Sequence, residues 1–497
     1  MIKINSENEV KKIHNFWSNI HFHPTDAAED IWGRRILDNV AKDNVAKCVR
    51  LYVMTEDIVS EDENGNLQYD YTVSDKRLDY MVEKGFDLLL CFAYTPMCMA
   101  SDKLCVSEYL RYKDKRINTS APKSFDQWEE VCFEYTKHLA ERYGAERVGK
   151  WYFHCWNEPD WKYFWMSDCD DENLKQQNYF KLYDAFAKGV RKASETVKIG
   201  GPSLAFPTDF LRNFLRHIKN TYGAHSNNFN FLSVHTYGDF PDDLEKTKNI
   251  NPENAMNKFS VYCRIAEEEG FGGIEIINDE WEACSNGFSN TDEYKCLEYR
   301  NTEKFSAHFI SLIDCYLKNN IGISKMMICL SGQHNLKREF EGYRSFFTMS
   351  GFKKPIYNAY VLSAMLGNIM IECENDDKIG VIPTKDDDGN IIIALYYTDS
   401  RLSVRLENKL IRLSVKLSDV KYKACHYRID GDNCNSYAEW CRCGKPENPD
   451  QDERERIFEA GELKPWYADD NVYSGEYETD ILMTHDSVSF IKLTKCK

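Results

Sequence analysis

Two acidic strings in this chain carry residue types that can break a glycosidic bond. Trp156-Asn157-Glu158-Pro159-Asp160 closes a short aromatic run over residues 150–158, and Asn278-Asp279-Glu280-Trp281 closes an apolar run over 274–280. The two glutamates stand 122 positions apart. Hydrolysis with retention needs two carboxyls about 5–5.5 Å apart, one protonated to assist the leaving oxygen and one ionised to attack the anomeric carbon. Glu158 is expected to be the acid/base and Glu280 the nucleophile. Pro159 disfavours αR geometry in the residue before it, which predicts an extended or bridge-like backbone at Glu158. Chemistry of this kind takes no cofactor and no metal.

The elements that must hold the pair can be read from periodicity. Between residues 15 and 365, short β-branched or aromatic runs alternate with longer amphipathic ones, the pattern of parallel strands joined by crossover helices. Eight strand candidates lie at 16–22, 47–53, 86–94, 150–158, 197–202, 231–237, 274–280 and 325–330, with helical runs such as 125–143, 177–196 and 262–270 between or after them. Eight units predict an α/β fold, a (β/α)₈ TIM barrel, in which strands four and seven face each other across the mouth. A doubly wound sheet would want a glycine-rich loop after its first strand, and His23-Pro24-Thr25-Asp26 has no glycine. After a last helix at 355–366 the texture becomes all-β: strand-like runs at 380–382, 391–397, 402–406, 411–415 and 488–493, with turns such as Asp387-Asp388-Gly389-Asn390. Residues 447–455 read as a polar, exposed loop. The expected organisation is a catalytic barrel over 15–367 and a C-terminal accessory β-sandwich over 368–497, joined by an N-terminal strand within 1–14 that begins Ile2-Lys3-Ile4.

Composition narrows the partners. With 80 acidic against 63 basic residues, the formal charge of −17 opposes binding to nucleic acid and to anionic membranes. No run approaches a membrane span and the N-terminal segment has no export pattern, so a cytoplasmic location is expected. The 18 cysteines are scattered without paired spacing, and the tightest group, Cys425, Cys434, Cys441 and Cys443, has a Cys-Arg-Cys gap too short for a zinc knuckle. Reduced, mostly buried thiols are expected.

These strings resemble glycoside hydrolase family 39, the clan A family of β-xylosidases and α-L-iduronidases, over nearly the whole chain. The resemblance rests on Trp156–Asp160 followed by Phe164-Trp165, on Gly200-Gly201-Pro202, on Ser233-Val234-His235-Thr236-Tyr237, on Asp279-Glu280-Trp281 and on Lys354–Tyr360. In the tail it continues through His426–Asp430, Asn435, Tyr437, Trp440 and Gly444-Lys445-Pro446, as in the β-xylosidase members. It implies Glu158 as acid/base, Glu280 as nucleophile, Asn157 as the residue that binds the sugar 2-hydroxyl, and His235 and Tyr237 as neighbours of the two carboxyls. A phenol donating to Glu280 would keep it ionised, and desolvation near Trp156 would raise Glu158. Trp161 and Trp165 are sugar-stacking platforms or ordinary packing aromatics. The resemblance also implies a carbohydrate substrate and a homo-oligomer.

Two positions depart from the family pattern. Arg50-Leu51-Tyr52 has Tyr52 where members carry a sugar-binding histidine. The eighth strand reads Ile328-Cys329-Leu330-Ser331-Gly332-Gln333 where members carry a tryptophan floor. His334, Arg338, Tyr343 and Arg344 follow and could rebuild the pocket, arginines being suited to a carboxylated sugar. The leading expectation is a retaining β-xylosidase acting on xylo-oligosaccharides or aryl and plant xylosides. The alternatives are the same chemistry on an L-arabinoside or uronic-acid glycoside, and a non-catalytic carbohydrate-binding barrel.

Overall fold

The computed structural model describes all residues except 23–30, 114, 240–247, 333–334, 469 and 497. The His23–Asp26 segment and the candidates Gln333 and His334 therefore lie outside the described residues. Eight parallel strands close a barrel in simple sequence order: Asn19–Phe22, Cys48–Met54, Asp87–Ala93, Tyr152–Cys155, Lys198–Leu204, Phe231–Asp239, Glu275–Cys284 and Lys325–Leu330. Closure comes from the eighth strand pairing the first, with Cys329 opposite His21. Helices such as Phe125–Tyr143, Glu172–Ala193, Asp209–Thr221, Pro252–Glu268 and Glu303–Lys318 cross over between strands. Ser124 and Asp171 cap two of them with side chains that accept backbone N–H groups. No helix among the described residues is long and apolar enough to cross a membrane.

Period-two alternation explains the barrel interior. Cys48, Leu89, Tyr152, Phe231, Ile277 and Met327 form one buried apolar layer. Two residues further along the same strands come Arg50, Cys91, His154, Ser233, Asp279 and Cys329, so the next layer toward the strand ends is mostly polar and fully buried. Two register shifts break the alternation where the polar layer begins. Pro202 pairs with Ser233 but Leu204 with Val234, which leaves Ser203 as an extra residue in left-handed backbone. Val234 pairs with Asn278 but His235 with Glu280, which leaves Asp279 extra. A bulge of this kind re-aims side chains, and here it lets adjacent Asp279 and Glu280 both reach inward.

The rest of the chain forms a nine-stranded sheet in which Ile2–Lys12 runs antiparallel to Ile369–Asn375 and parallel to Lys409–Lys416. Residues near both ends of the sheet, such as Leu413 and Ile481 on one side and Leu493 and Ala424 on the other, share one core, so the sheet curls onto itself as a β domain. Three details differ from the sequence expectation. Residues 402–406 form no strand: the Leu402 N–H donates to Lys248 O (2.6 Å) and the Leu406 N–H to His485 Nδ1 (3.1 Å), outside any strand ladder. The fourth barrel strand stops at Cys155 rather than 158. Gln451–Gly461 is a helix, not a loop, nucleated by a capping box in which Asp450 and Glu453 satisfy each other's backbone N–H.

Candidate active site

The fourth strand ends three residues before Glu158, and the backbone then turns sharply. Trp156 and Glu158 take left-handed φ values of 66° and 46°, not the extended or bridge-like geometry expected from Pro159. The proline excludes αR but leaves the left-handed region open, and tertiary bonds select it: Glu158 N–H donates to Ser203 O (2.9 Å) and Trp161 N–H to Glu158 O (3.0 Å). Asp160 ties the same loop to the fifth strand, accepting from the N–H groups of Ala205 (3.0 Å) and Phe206 (2.8 Å). Burial, with the nearby Glu158 charge, pushes the Asp160 carboxyl up to about 7 despite those bonds.

Glu158 and Glu280 face each other with a carboxylate oxygen of each within 4.8 Å, and His235 lies between them. Their environments differ. Burial raises the Glu158 carboxyl above its ordinary value against the pull of His235 and Arg50. Burial would also raise Glu280, but His235, His21, Arg50 and a hydrogen bond from the Tyr237 phenol to Oε2 outweigh it and hold Glu280 well below the usual carboxylate range. Pairs of titratable groups pushed apart in this way are the signature of an acid and a nucleophile sharing one site.

Arg50 is the hub beneath them. It is wholly buried; its Nη1 donates to Glu280 Oε1 (2.5 Å), its Nη2 to Asn157 Oδ1 (2.7 Å) and Ser203 Oγ (3.1 Å), and its Nε lies 2.9 Å from Asp279 Oδ2. Ser203 Oγ donates to Asp279 Oδ2 (2.6 Å), so it accepts from Arg50 and from His235 Nε2 (2.9 Å). With Nε2 donating, and Nδ1 set 2.6 Å from Glu158 Oε1, the ring of His235 has an acceptor at each nitrogen when it is charged. Burial alone would neutralise it, but Glu280, Asp279 and Glu158 raise it to about 9. His154, which accepts from Arg50 Nε (3.2 Å), is held neutral by burial and by that guanidinium.

A cavity of about 310 Å³ opens above the pair, and its lining includes Asn157, Trp161, Tyr52, Tyr237, Cys329 and Arg344. Tyr52 OH lies 3.5 Å from Glu280 Oε1. Burial pushes the Cys329 thiol up to about 12, so it meets the cavity as a neutral group. Arg344 crosses the Tyr237 ring at 4.5 Å and donates to the Tyr237 hydroxyl (3.1 Å). Trp165 does not line the cavity: its ring is fully buried edge-on to Trp156 (4.8 Å) and its indole N–H donates to Lys175 O (2.9 Å), so it packs the loop instead of offering a sugar platform. Arg338 turns away to Asp292 and Glu341, and Tyr343 also stays outside the lining. The sequence reading gave no role to His21, Arg50, His154, Ser203 or Asp279, although Arg50 and Asp279 stand in strings that it singles out. Polar residues at alternate positions of otherwise apolar strands are the signal that would have found Arg50 and His154.

The sequence profile of glycosyl hydrolases family 39 matches residues 1–468. A β-xylosidase from Caldicellulosiruptor saccharolyticus is 26% identical over 480 residues, covering 93% of this chain and 92% of that one. Human α-L-iduronidase is 29% identical over 167 residues, 33% of this chain and 22% of its own. Among solved structures, a monomeric β-xylosidase from Caulobacter crescentus CB15 superposes with a TM-score of 0.83 at 19% identity, covering 100% of this chain and 99% of the other, a likeness of fold. With a profile match that runs from the first strand of the β domain through the whole barrel, this chain belongs to glycosyl hydrolases family 39 and is a glycosidase.

Proposed function

We propose that the chain is a retaining β-xylosidase that releases a terminal sugar by double displacement, with Glu158 as acid/base and Glu280 as nucleophile. The observation that carries this reading is the opposed carboxyl pair, close enough for one sugar ring and held in opposite protonation tendencies. Because Glu158 Oε1 accepts from His235, Oε2 is the oxygen left to carry the acid proton. Asn157, whose Oδ1 accepts from Arg50, takes the sugar 2-hydroxyl in this reading. Once Glu280 becomes an ester its charge disappears. By then Glu158 has given its proton to the departing oxygen, and because the Glu280 charge helped to raise it, loss of that charge leaves Glu158 ionised and able to act as base on water. Arg344 shares Glu282 with Arg300, which sits closer to that carboxylate (2.7 Å against 3.6 Å), and its Nη2 donates to the carbonyls of Cys284 and Ser285.

Aryl β-xyloside, α-L-arabinoside, β-glucoside and β-glucuronide substrates test the sugar. The xyloside is expected to give the highest kcat/KM, and proton NMR is expected to show the β anomer formed first. A first-formed α anomer would overturn retention. The pH profile follows from the same groups. Activity needs Glu280 ionised and Glu158 protonated, so kcat/KM should rise through an acidic limb below the ordinary carboxylate range and fall through a basic limb above it. His235, charged below about 9, lowers both carboxyls. Removing its charge in His235→Gln should therefore move both limbs to higher pH, and limbs that stay in place would refute this assignment.

A further inference from the structure

The position of Glu158 says which side of the cavity receives the leaving group. An acid protonates the bond to the departing oxygen, so the aglycone must lie on the side of the loop that carries Glu158. That loop runs directly into Trp161, and the wall beyond it is aromatic: Trp161, Phe164, Phe206 and Tyr109 all line the cavity there. They form a continuous edge-to-face array. Trp161 meets Phe164 at 4.8 Å and Phe206 at 6.5 Å, and Tyr163 bridges Trp161 (5.5 Å) to Tyr109 (4.6 Å). The array is built in place: Asp160 fixes the backbone of Phe206, and Tyr109 is carried on a hairpin, Val106–Tyr112 with Lys115–Asn118, inserted after the third barrel strand. Tyr109 is 53% exposed and stands at the rim of this cavity.

Resting on the reading of Glu158 as the acid, we propose that the leaving-group side accepts a flat, largely apolar aglycone, an aryl or polycyclic group, in preference to a second sugar. A sugar there would bring several hydroxyls that need partners, whereas ring faces and edges offer stacking surface and few acceptors. Tyr109 and Trp161 are the specificity-determining residues.

The test compares naphthylmethyl and methyl glycosides with the corresponding disaccharide, xylobiose in the first instance, because the naphthylmethyl and sugar alcohols leave with similar difficulty. The wild type is expected to favour the naphthylmethyl glycoside over xylobiose at least tenfold in kcat/KM. Tyr109→Ala should lower the naphthylmethyl-to-methyl ratio of kcat/KM about tenfold, chiefly through KM, and Trp161→Ala should do the same. A preference for the disaccharide, or a ratio unchanged in both variants, would overturn the proposal. If xylosides are not turned over, the xylose assignment fails by itself, and the same series is made on the sugar that is accepted. Binding of naphthylmethanol by calorimetry gives a readout independent of turnover: it should be at least tenfold tighter than that of xylose and weakened in Tyr109→Ala, and binding no tighter than xylose counts against the aromatic site.

Discussion

Replacing Glu280 by alanine is expected to lower kcat on an aryl xyloside by about 10⁴-fold or more, since the residue supplies the bond formed in the first step. Glu158→Ala is expected to cost about 10²–10⁴-fold, and less on substrates whose leaving group departs without a proton. Azide separates the two roles by product. In Glu158→Ala the glycosyl-enzyme on Glu280 still forms, so azide attacks it from the opposite face and yields the β-glycosyl azide. In Glu280→Ala azide enters the space of the lost carboxylate, displaces the aglycone once and yields the α-glycosyl azide. NMR of the azide products reads this directly. Exchanged anomers would exchange the roles, and full activity in Glu280→Ala would remove the nucleophile from the mechanism. The tilt in protonation makes this order of roles the expected one: Glu280 is approached by Arg50, Tyr237 and His21, while Glu158 has burial acting on it and fewer positive neighbours.

The second large effect is expected at Arg50. Its guanidinium is fully buried and faces Asp279 and Glu280, which are themselves buried. Arg50→Met removes the charge and leaves two carboxylates in a low-dielectric interior, which typically costs about 3–5 kcal/mol of stability. A fall in thermal or denaturant midpoint measures it. The pH dependence gives the sign. Without the guanidinium the Glu280 carboxyl is held down less strongly, so the folded variant binds protons more tightly than the folded wild type. The deficit should then be smaller at acidic pH and grow as pH rises. The same shift should move the acidic limb of kcat/KM upward, which a loss of packing alone would not do. Arg50→Lys is not expected to restore the wild type, because one ammonium cannot reproduce the fork that reaches Glu280, Asn157, Ser203 and Asp279 together. A variant with unchanged stability and unchanged limbs would show that the site does not depend on this residue.

Much of the barrel was legible because its signals are local. Alternation within a strand and amphipathic spacing within a helix are properties of neighbouring residues, and the helix expected at 125–143 is the one observed, Phe125–Tyr143. The strand Ile391–Tyr397 likewise coincides with its apolar run. The helix Gln451–Gly461 was legible too, through the Asp450–Glu453 box, but a run of charged residues obscured it. The polar exterior of a short helix has the composition of a loop. Trp165 shows the opposite limit. An aromatic just after an acidic loop reads equally as platform or packing, and only the position of Trp156 and of the Lys175 carbonyl places it in the interior.

By itself the sequence determined the eight alternating units, the β tail, the family and the two strand-end glutamates, because each is written in contiguous or regularly spaced residues. Only the tertiary structure decided how those glutamates are held. The extra residues Ser203 and Asp279, the left-handed turn at Glu158, and the joining of Arg50, His235 and both carboxyls depend on contacts between strands scattered from the second to the seventh. A bulge appears only when two registers are compared, and the protonation of a buried carboxyl is set by the charges that surround it in space. No spacing along the chain encodes either one.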